Sequence, residues 1–249
     1  MTRDEQLLVT FRAAAAQDLS DLAGLHDREV DAAALERLRA AVGEGGLLRL
    51  RLVNQDSRAA LFLLDEALGG LPAVIDGTPL DDLAADYADI YLTYGLRAAP
   101  SESVWLDEDN LAMQAPMFEV RALYQQHGLQ VPDWRRRPDD HLVHELQFLA
   151  HLLDPETGDS LGEAAAFLDE HLLLWLPDFA ARVAQRCATP LYAGLAAVTA
   201  AYVEELRELL ERILGVPRTP REVVEERRRQ ARESDPAPAP FVPGSAPTW

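Results

Sequence analysis

No lysine occurs anywhere in the chain; all 23 of its basic residues are arginine. Two kinds of chemistry go with it: the lysine of a phosphate-binding loop and a Schiff-base nucleophile. Cysteine is nearly absent as well. The single thiol, Cys187, cannot close an internal disulfide, which fits a reducing cytoplasm, and its expected role is packing as a small hydrophobe. No apolar run approaches the roughly 20 residues that a membrane-spanning helix needs. The first residues, Met1-Thr2-Arg3-Asp4-Glu5-Gln6, are charged and lead into no apolar region with a cleavage site, so no signal peptide and no stable membrane insertion are expected. No Gly-x-Gly-x-x-Gly follows a strand, and no internal repeat is visible. With 42 acids the formal net charge is −19, which a phosphate backbone would repel, so nucleic acid is not an expected partner.

Helix signals fill most of what is present. Thr78-Pro79, Thr189-Pro190 and Thr219-Pro220 each place a capping hydroxyl before a first-turn proline. Ser160-Leu161-Gly162-Glu163 reads as a capping box, and Gly69, Gly95, Gly128 and Gly215 close apolar-periodic stretches. Helices are predicted near 5–23, 31–42, 56–68, 79–94, 116–127, 139–153, 161–175, 178–187, 190–214 and 220–232. The one strand-like alternation, Leu48-Arg49-Leu50-Arg51-Leu52, cannot make a sheet alone and is expected to be an extended connector or a helix fragment.

The expected class is therefore all-α, a bundle of about nine to ten helices in two lobes. An N-terminal helical lobe over 1–130 meets a C-terminal helical lobe over 139–216 through the proline-bracketed segment 131–138, which can act as a hinge. A polar helix over 217–233 and a disordered, proline- and alanine-rich tail over 234–249 follow.

Charge is unevenly placed. Residues 59–120 hold 12 acids and one arginine, Arg97; residues 138–181 hold 10 acids and no arginine. Between them stands Trp134-Arg135-Arg136-Arg137. Such tracts either keep the protein soluble or present two acidic surfaces to a basic partner.

The most informative segment is Pro138-Asp139-Asp140-His141-Leu142-Val143-His144-Glu145-Leu146-Gln147-Phe148-Leu149. Pro138 suits a helix start, and Asp139 or Asp140 is expected to cap the free N–H groups of the first turn. On a helical wheel Leu142, Leu146, Leu149 and Leu153 form one stripe, and His141, Glu145, Phe148 and Leu152 form its neighbour. Polar groups beside an apolar stripe can bind something both charged and greasy.

His141, His144 and His151 with Glu145 and Asp140 are candidate metal ligands, but His-x-x-His-Glu is not the order zinc hydrolases use, and the histidines do not converge on the wheel. Asp139 and Asp140 point about 100° apart on a helix and make a poor catalytic dyad. An all-helical chain also offers no strand–turn–helix to strain a nucleophilic serine. Tyr87, Tyr91 and Tyr94, with Leu83 and Ile90, form an aromatic-rich face that is either core or the wall of a groove. Trp105 carries the same two readings. Trp175, before Pro177, is expected at a packed helix end.

The chain resembles the TorD/DmsD/NarJ family of chaperones for molybdenum-cofactor enzymes over about residues 80–214. The similarity is carried by Pro138-Asp139-Asp140-His141 with Glu145-Leu146 and Phe148; by Asp86-Tyr87 with Ile90-Tyr91 and Gly95; by Glu102-Ser103-Val104-Trp105-Leu106; by Glu119-Val120-Arg121 with Tyr124 and Gly128-Leu129; and by Glu170-His171-Leu172-Leu173-Leu174-Trp175-Leu176-Pro177-Asp178-Phe179 with Pro190-Leu191-Tyr192. Arg137 and Ile90 depart from the family pattern, and the first 75 residues match it poorly.

The resemblance implies a cytoplasmic chaperone, not an enzyme and without a cofactor of its own. Its partner would be a molybdopterin oxidoreductase catalytic subunit precursor, held by its twin-arginine signal peptide until the cofactor is inserted. The peptide's apolar middle would lie in a groove between the Tyr87 and Tyr91 face and the 139–148 turn, with Asp139, Asp140, His141, Glu145, Phe148, Tyr87, Tyr91 and Trp105 as the binding residues. The family also implies a monomer or a lobe-swapped homodimer. Two alternatives stand beside this. One is an assembly chaperone of the NarJ type for a client without an export signal. The other is a metal-dependent hydrolase using His141, His144 and Glu145.

Overall fold

Local capping decides where the first helices begin. In a computed structural model that describes residues 2–44, 46–74, 76–157 and 160–234, helix α1 runs Arg3–Asp27. Thr2 and Glu5 cap it reciprocally: the Glu5 N–H donates to Thr2 Oγ1 at 3.2 Å, and the Thr2 N–H to Glu5 Oε2 at 2.6 Å. Helix α2, Ala32–Gly43, starts where the Asp31 carboxylate accepts from Ala34 N–H at 2.7 Å. Helix α3, Gln55–Gly69, has no cap of its own; Glu205, far along the chain, accepts from the Val53 N–H at 2.7 Å.

Helix α4, Thr78–Tyr87, continues into a wider π turn over Ala88–Leu92. A short α5, Ser103–Leu106, and α6, Ala115–Gln126, precede the connector. Beyond it lie α7, Leu142–Leu153, and α8, Leu161–Phe167, which passes through a second π turn, Leu168–Leu172, into α9, Leu173–Arg186. The expected helices at 161–175 and 178–187 are thus one continuous run with Pro177 inside it. Trp175 is fully buried, but in a helix interior and not at an end. The long α10, Pro190–Leu214, ends at Gly215 in the left-handed conformation (φ 66°), and α11 spans Arg221–Ser234. The tail expected beyond 234 lies outside the described residues.

Two expected caps are replaced by longer-range partners. The Thr189 hydroxyl does not cap α10; it donates to Asp86 at 2.6 Å, and the same carboxylate takes the N–H groups of Ala188 and Thr189. Nor do Asp139 and Asp140 cap α7. The N-cap is His141, whose Nδ1 accepts from the Val143 N–H at 3.2 Å. The 48–52 run forms no strand; the carboxylate of Asp18 in α1 fixes it by accepting from the N–H groups of Arg49 and Leu50 at 2.7 and 2.9 Å.

The all-α expectation holds: no strand occurs among the described residues, only one isolated bridge. Helix α1 lies along α7, while α10 packs against α3 and α9. Helices from before and after the connector therefore draw on the same core, which includes Leu19, Leu22, Leu64, Leu146, Leu149, Trp175, Tyr192 and Tyr202. Gly194 permits the α10–α3 approach, since a Cβ there would stand 3.0 Å from Leu64 Cα. The connector's Arg137 reaches back to the end of α1, pairing with Asp27 and donating to its carbonyl at 3.0 Å. No helix among the described residues is long and apolar enough to cross a membrane.

Candidate functional site

Two segments that the sequence keeps well apart are clasped together. The Glu102 N–H donates to the Asp140 carbonyl at 3.0 Å, and the Leu142 N–H to the Pro100 carbonyl at 2.8 Å. Ser101 and His141 thereby form an antiparallel bridge. Side chains complete the clasp. Asp140 accepts from Ser103 twice, from its N–H at 2.7 Å and its hydroxyl at 2.5 Å. Its cap is the start of α5, not the start of its own helix.

Behind the clasp is a buried carboxylate cluster. Glu102, Asp140 and Glu145 are each fully buried. Glu102 accepts from His171 Nδ1 at 2.9 Å and from Arg228 Nη2 at 2.8 Å. Glu145 accepts from Trp175 Nε1 at 3.2 Å. One oxygen of Asp140 and one of Glu145 have no hydrogen-bond partner.

Three carboxyl groups this close cannot all carry full charge. Burial alone would raise Glu102, but His171 and Arg228 outweigh it and bring Glu102 down to about 2. Asp140 goes the other way, to about 6, chiefly through burial and against the pull of the Ser103 hydrogen bonds. Glu145 is pushed well above the usual carboxylate range by burial, then by the charges of Glu102 and Asp140. Glu102 is thus the favoured anion of the cluster, and its charge and burial shift Glu145 toward the protonated form.

The flanks are ordered too. Asp139 takes Arg121 in a forked pair, at 2.8 Å to Nη2 and 3.3 Å to Nε. Tyr124 donates to the Asp139 carbonyl at 3.0 Å. His141 is buried and held neutral by burial, which puts its pKa well below the ordinary histidine value.

An open groove of about 570 Å³ borders the clasp, lined by Tyr94, Arg97, Ser101, Trp105, Leu111 and Arg182 among others. Trp105 donates through its indole to the Ala99 carbonyl at 2.8 Å, with the Arg182 guanidinium 5.4 Å over its ring. The buried Ser101 hydroxyl is unpartnered. Tyr94, Arg97 and Asn110 hold positive φ (56°, 51° and 54°), all at this groove. Asparagine adopts this region readily, but for Tyr94 and Arg97 such backbone costs about 1–2 kcal/mol per residue; a fourth residue, Met113 (φ 61°), lies outside the groove lining.

The predicted site residues thus separate into four places. Asp139, Asp140, His141 and Glu145 come together around the clasp. Trp105 lines the groove. Phe148 lines a smaller pocket of about 270 Å³ with Tyr124, His144 and His151. Tyr87 and Tyr91 are buried elsewhere, stacked at 4.8 Å, with Tyr87 donating to the Asp27 carbonyl and Tyr91 bonded to His26. Tyr94 alone of that trio reaches the groove.

The metal-site residues do not converge either. His141 Nδ1 is spent on capping and Glu145 turns to Trp175; no cluster that could hold a metal exists among the described residues. The letters Gly-x-Ser-x-Gly do occur at 158–162, but Ser160 caps α8, accepting from the Glu163 N–H at 3.1 Å. Glu102, His171 and Arg228 are not among the site residues that the sequence predicts. The signal for the first two was their place in short runs shared with the family; for Arg228 there was none.

The chain belongs to the TorD/NarJ family: the family model described as nitrate reductase delta subunit matches residues 52–181. It is similar to proteins named Chaperone protein TorD. The one from Vibrio cholerae (strain M66-2) is 32% identical over 142 residues, 53% of this chain and 64% of the relative. Those from Vibrio vulnificus (strain YJ016) and Psychrobacter sp. (strain PRwf-1) are 34% and 32% identical, covering 53% and 62% of those proteins. The match therefore spans somewhat under two thirds of these relatives' length.

Proposed function

We propose that this protein is a cytoplasmic chaperone for a molybdopterin oxidoreductase catalytic subunit. It binds the N-terminal segment of the precursor, a twin-arginine signal peptide, and assists maturation and cofactor insertion before export. The observation that carries this is the groove at Trp105 and Tyr94, set against the clasp of Asp140 on Ser103. Tyr94, Trp105 and Leu111 offer an apolar segment its walls; the charged groups lining the groove are Arg97 and Arg182, so the segment's basic residues are taken to lie beyond it, on acids of a chain at −19. Bidentate arginine–carboxylate pairing suits that meeting. The role requires binding, not catalysis, and uses no resident cofactor. The chain acts as a monomer or a lobe-swapped homodimer, which sedimentation would separate.

A tagged pull-down from the native cytoplasm, grown under respiratory conditions that induce molybdoenzymes, tests the reading. A molybdopterin oxidoreductase subunit with its N-terminal segment still attached is the expected partner; recovery of none would overturn it. A second reading is an assembly chaperone of the NarJ type for a client without an export signal; the matching family model is described as nitrate reductase delta subunit. The client's N-terminus decides between them: an arginine pair favours the first, its absence the second.

A further inference from the structure

Helix α11 is the least embedded element of the fold. Val224 is buried and Arg228 nearly so; most of its other described side chains face solvent. Its outer contacts are exposed ion pairs, Arg221 with Asp178 at 3.8 Å and Arg227 with Glu170 at 3.3 Å. Such pairs hold weakly and are screened by salt. Arg228 is the exception. It passes the half-exposed Glu119 at the rim, at 3.1 Å, and reaches fully buried Glu102 at 2.8 Å. Its Nη2 also donates to the Glu170 carbonyl at 2.7 Å, while its Nη1 is buried without a partner.

That geometry is a socket for one guanidinium, with the Glu119 carboxylate at the mouth and the Glu102 carboxylate at the floor. Its present occupant fits imperfectly and sits on a helix that is otherwise lightly attached. It also belongs to the run Arg227-Arg228-Arg229, so the chain carries its own arginine cluster. We propose that the Glu102 socket is an arginine-recognition site, that Arg228 fills it in the unliganded protein, and that an arginine of the bound client displaces α11 to take its place.

This rests on the reading of the protein as a binder of a basic, apolar peptide. It adds which carboxylate reads the arginine and what guards it. Without Arg228, Glu102 would be a buried anion held by His171 and crowded by Glu145; Arg228 neutralises it. With a client, the exchange of one guanidinium for another costs little at the socket. Peptides lacking the arginine cannot make the exchange, so the guard confers selectivity.

The test uses the full chain and a synthetic peptide with an adjacent arginine pair followed by an apolar helix-forming run. A control peptide carries glutamine at both arginines. Arg228→Gln is expected to tighten binding of the arginine peptide about 10-fold, the equivalent of about 1.4 kcal/mol, and to leave the control peptide unchanged. Arg227→Gln, which loosens α11 without touching Glu102, is expected to move affinity the same way by less; it keeps the test valid if Arg228→Gln does not fold. Peptide binding to the wild type should also speed amide exchange across 221–234.

If the wild type binds the arginine peptide but neither variant tightens it and α11 exchange is unmoved, the socket proposal is wrong and the chaperone reading survives. Equal tightening of both peptides likewise overturns the socket. If neither the wild type nor the variants bind either peptide, both fall together.

Discussion

Asp140 and Ser103 are joined by two hydrogen bonds through one carboxylate oxygen, at 2.7 Å to the N–H and 2.5 Å to the hydroxyl. The pair ties the loop before α7 to the first turn of α5. Burial sets the energetics of that tie. The folded pKa of Asp140 rises from 3.8 to about 6. A carboxyl raised in the fold binds more protons folded than unfolded between those values, so its contribution to stability falls as pH rises through them. Denaturant unfolding across pH 4 to 7 should show wild type losing stability relative to Asp140→Asn over that window. A flat difference between the two would contradict the assignment. Glu102, lowered to about 2, has the opposite sign but acts only below about 4.5, so the two effects separate.

Arg207 and Asp169 form the most deeply buried forked ion pair, at 2.8 and 2.9 Å, and Asp169 also accepts from the Thr219 N–H at 2.9 Å. Removing one partner leaves the other as an uncompensated buried charge. Arg207→Ala should cost about 3–5 kcal/mol. Replacing both with apolar residues of similar size should recover much of that loss, measured as a double-mutant cycle in urea.

Gly194 inverts a familiar rule. Inside a helix, glycine to alanine ordinarily stabilises by roughly 1 kcal/mol. Here the added methyl would meet Leu64 Cα at 3.0 Å, so α3 would have to move. Gly194→Ala is expected to destabilise by about 1–3 kcal/mol, seen as a lower urea midpoint. A raised midpoint would mean that α3 yields freely.

Trp105 and Tyr91 should behave oppositely toward a signal-like peptide. Trp105 lines the groove and is a candidate hot spot, so Trp105→Ala should weaken binding by about 2 kcal/mol, roughly 30-fold in Kd. Tyr91 is buried against His26, so Tyr91→Phe should cost about 1–3 kcal/mol of stability while leaving affinity unchanged. Isothermal titration on both variants decides it; full affinity in Trp105→Ala would remove the groove from the site.

Much of the fold was legible because its causes are local. The Ser160 cap on α8, the left-handed Gly215 and the leucine stripe of α7 act over three or four residues, a range that sequence patterns report directly. Legibility failed where a distant side chain took over a local job. Thr189 read as a cap until Asp86 took its donors, and the 139–140 carboxylates read as caps until Ser103 and Arg121 claimed them. The tyrosine face divided for a related reason: the π turn over Ala88–Leu92 and the left-handed Tyr94 send Tyr94 to the groove while Tyr87 and Tyr91 stay in the core.

The sequence by itself determined an all-α chain, its acidic charge and its family, because periodicity, capping and short shared motifs are properties of neighbouring residues. Only the tertiary structure decided which carboxyl keeps its charge. Glu102 meets His171 across 69 positions and Arg228 across 126, while Asp140 meets Ser103 across 37. The ionisation of a buried acid depends on what surrounds it in space, and here those surroundings are assembled from four separate stretches of the chain.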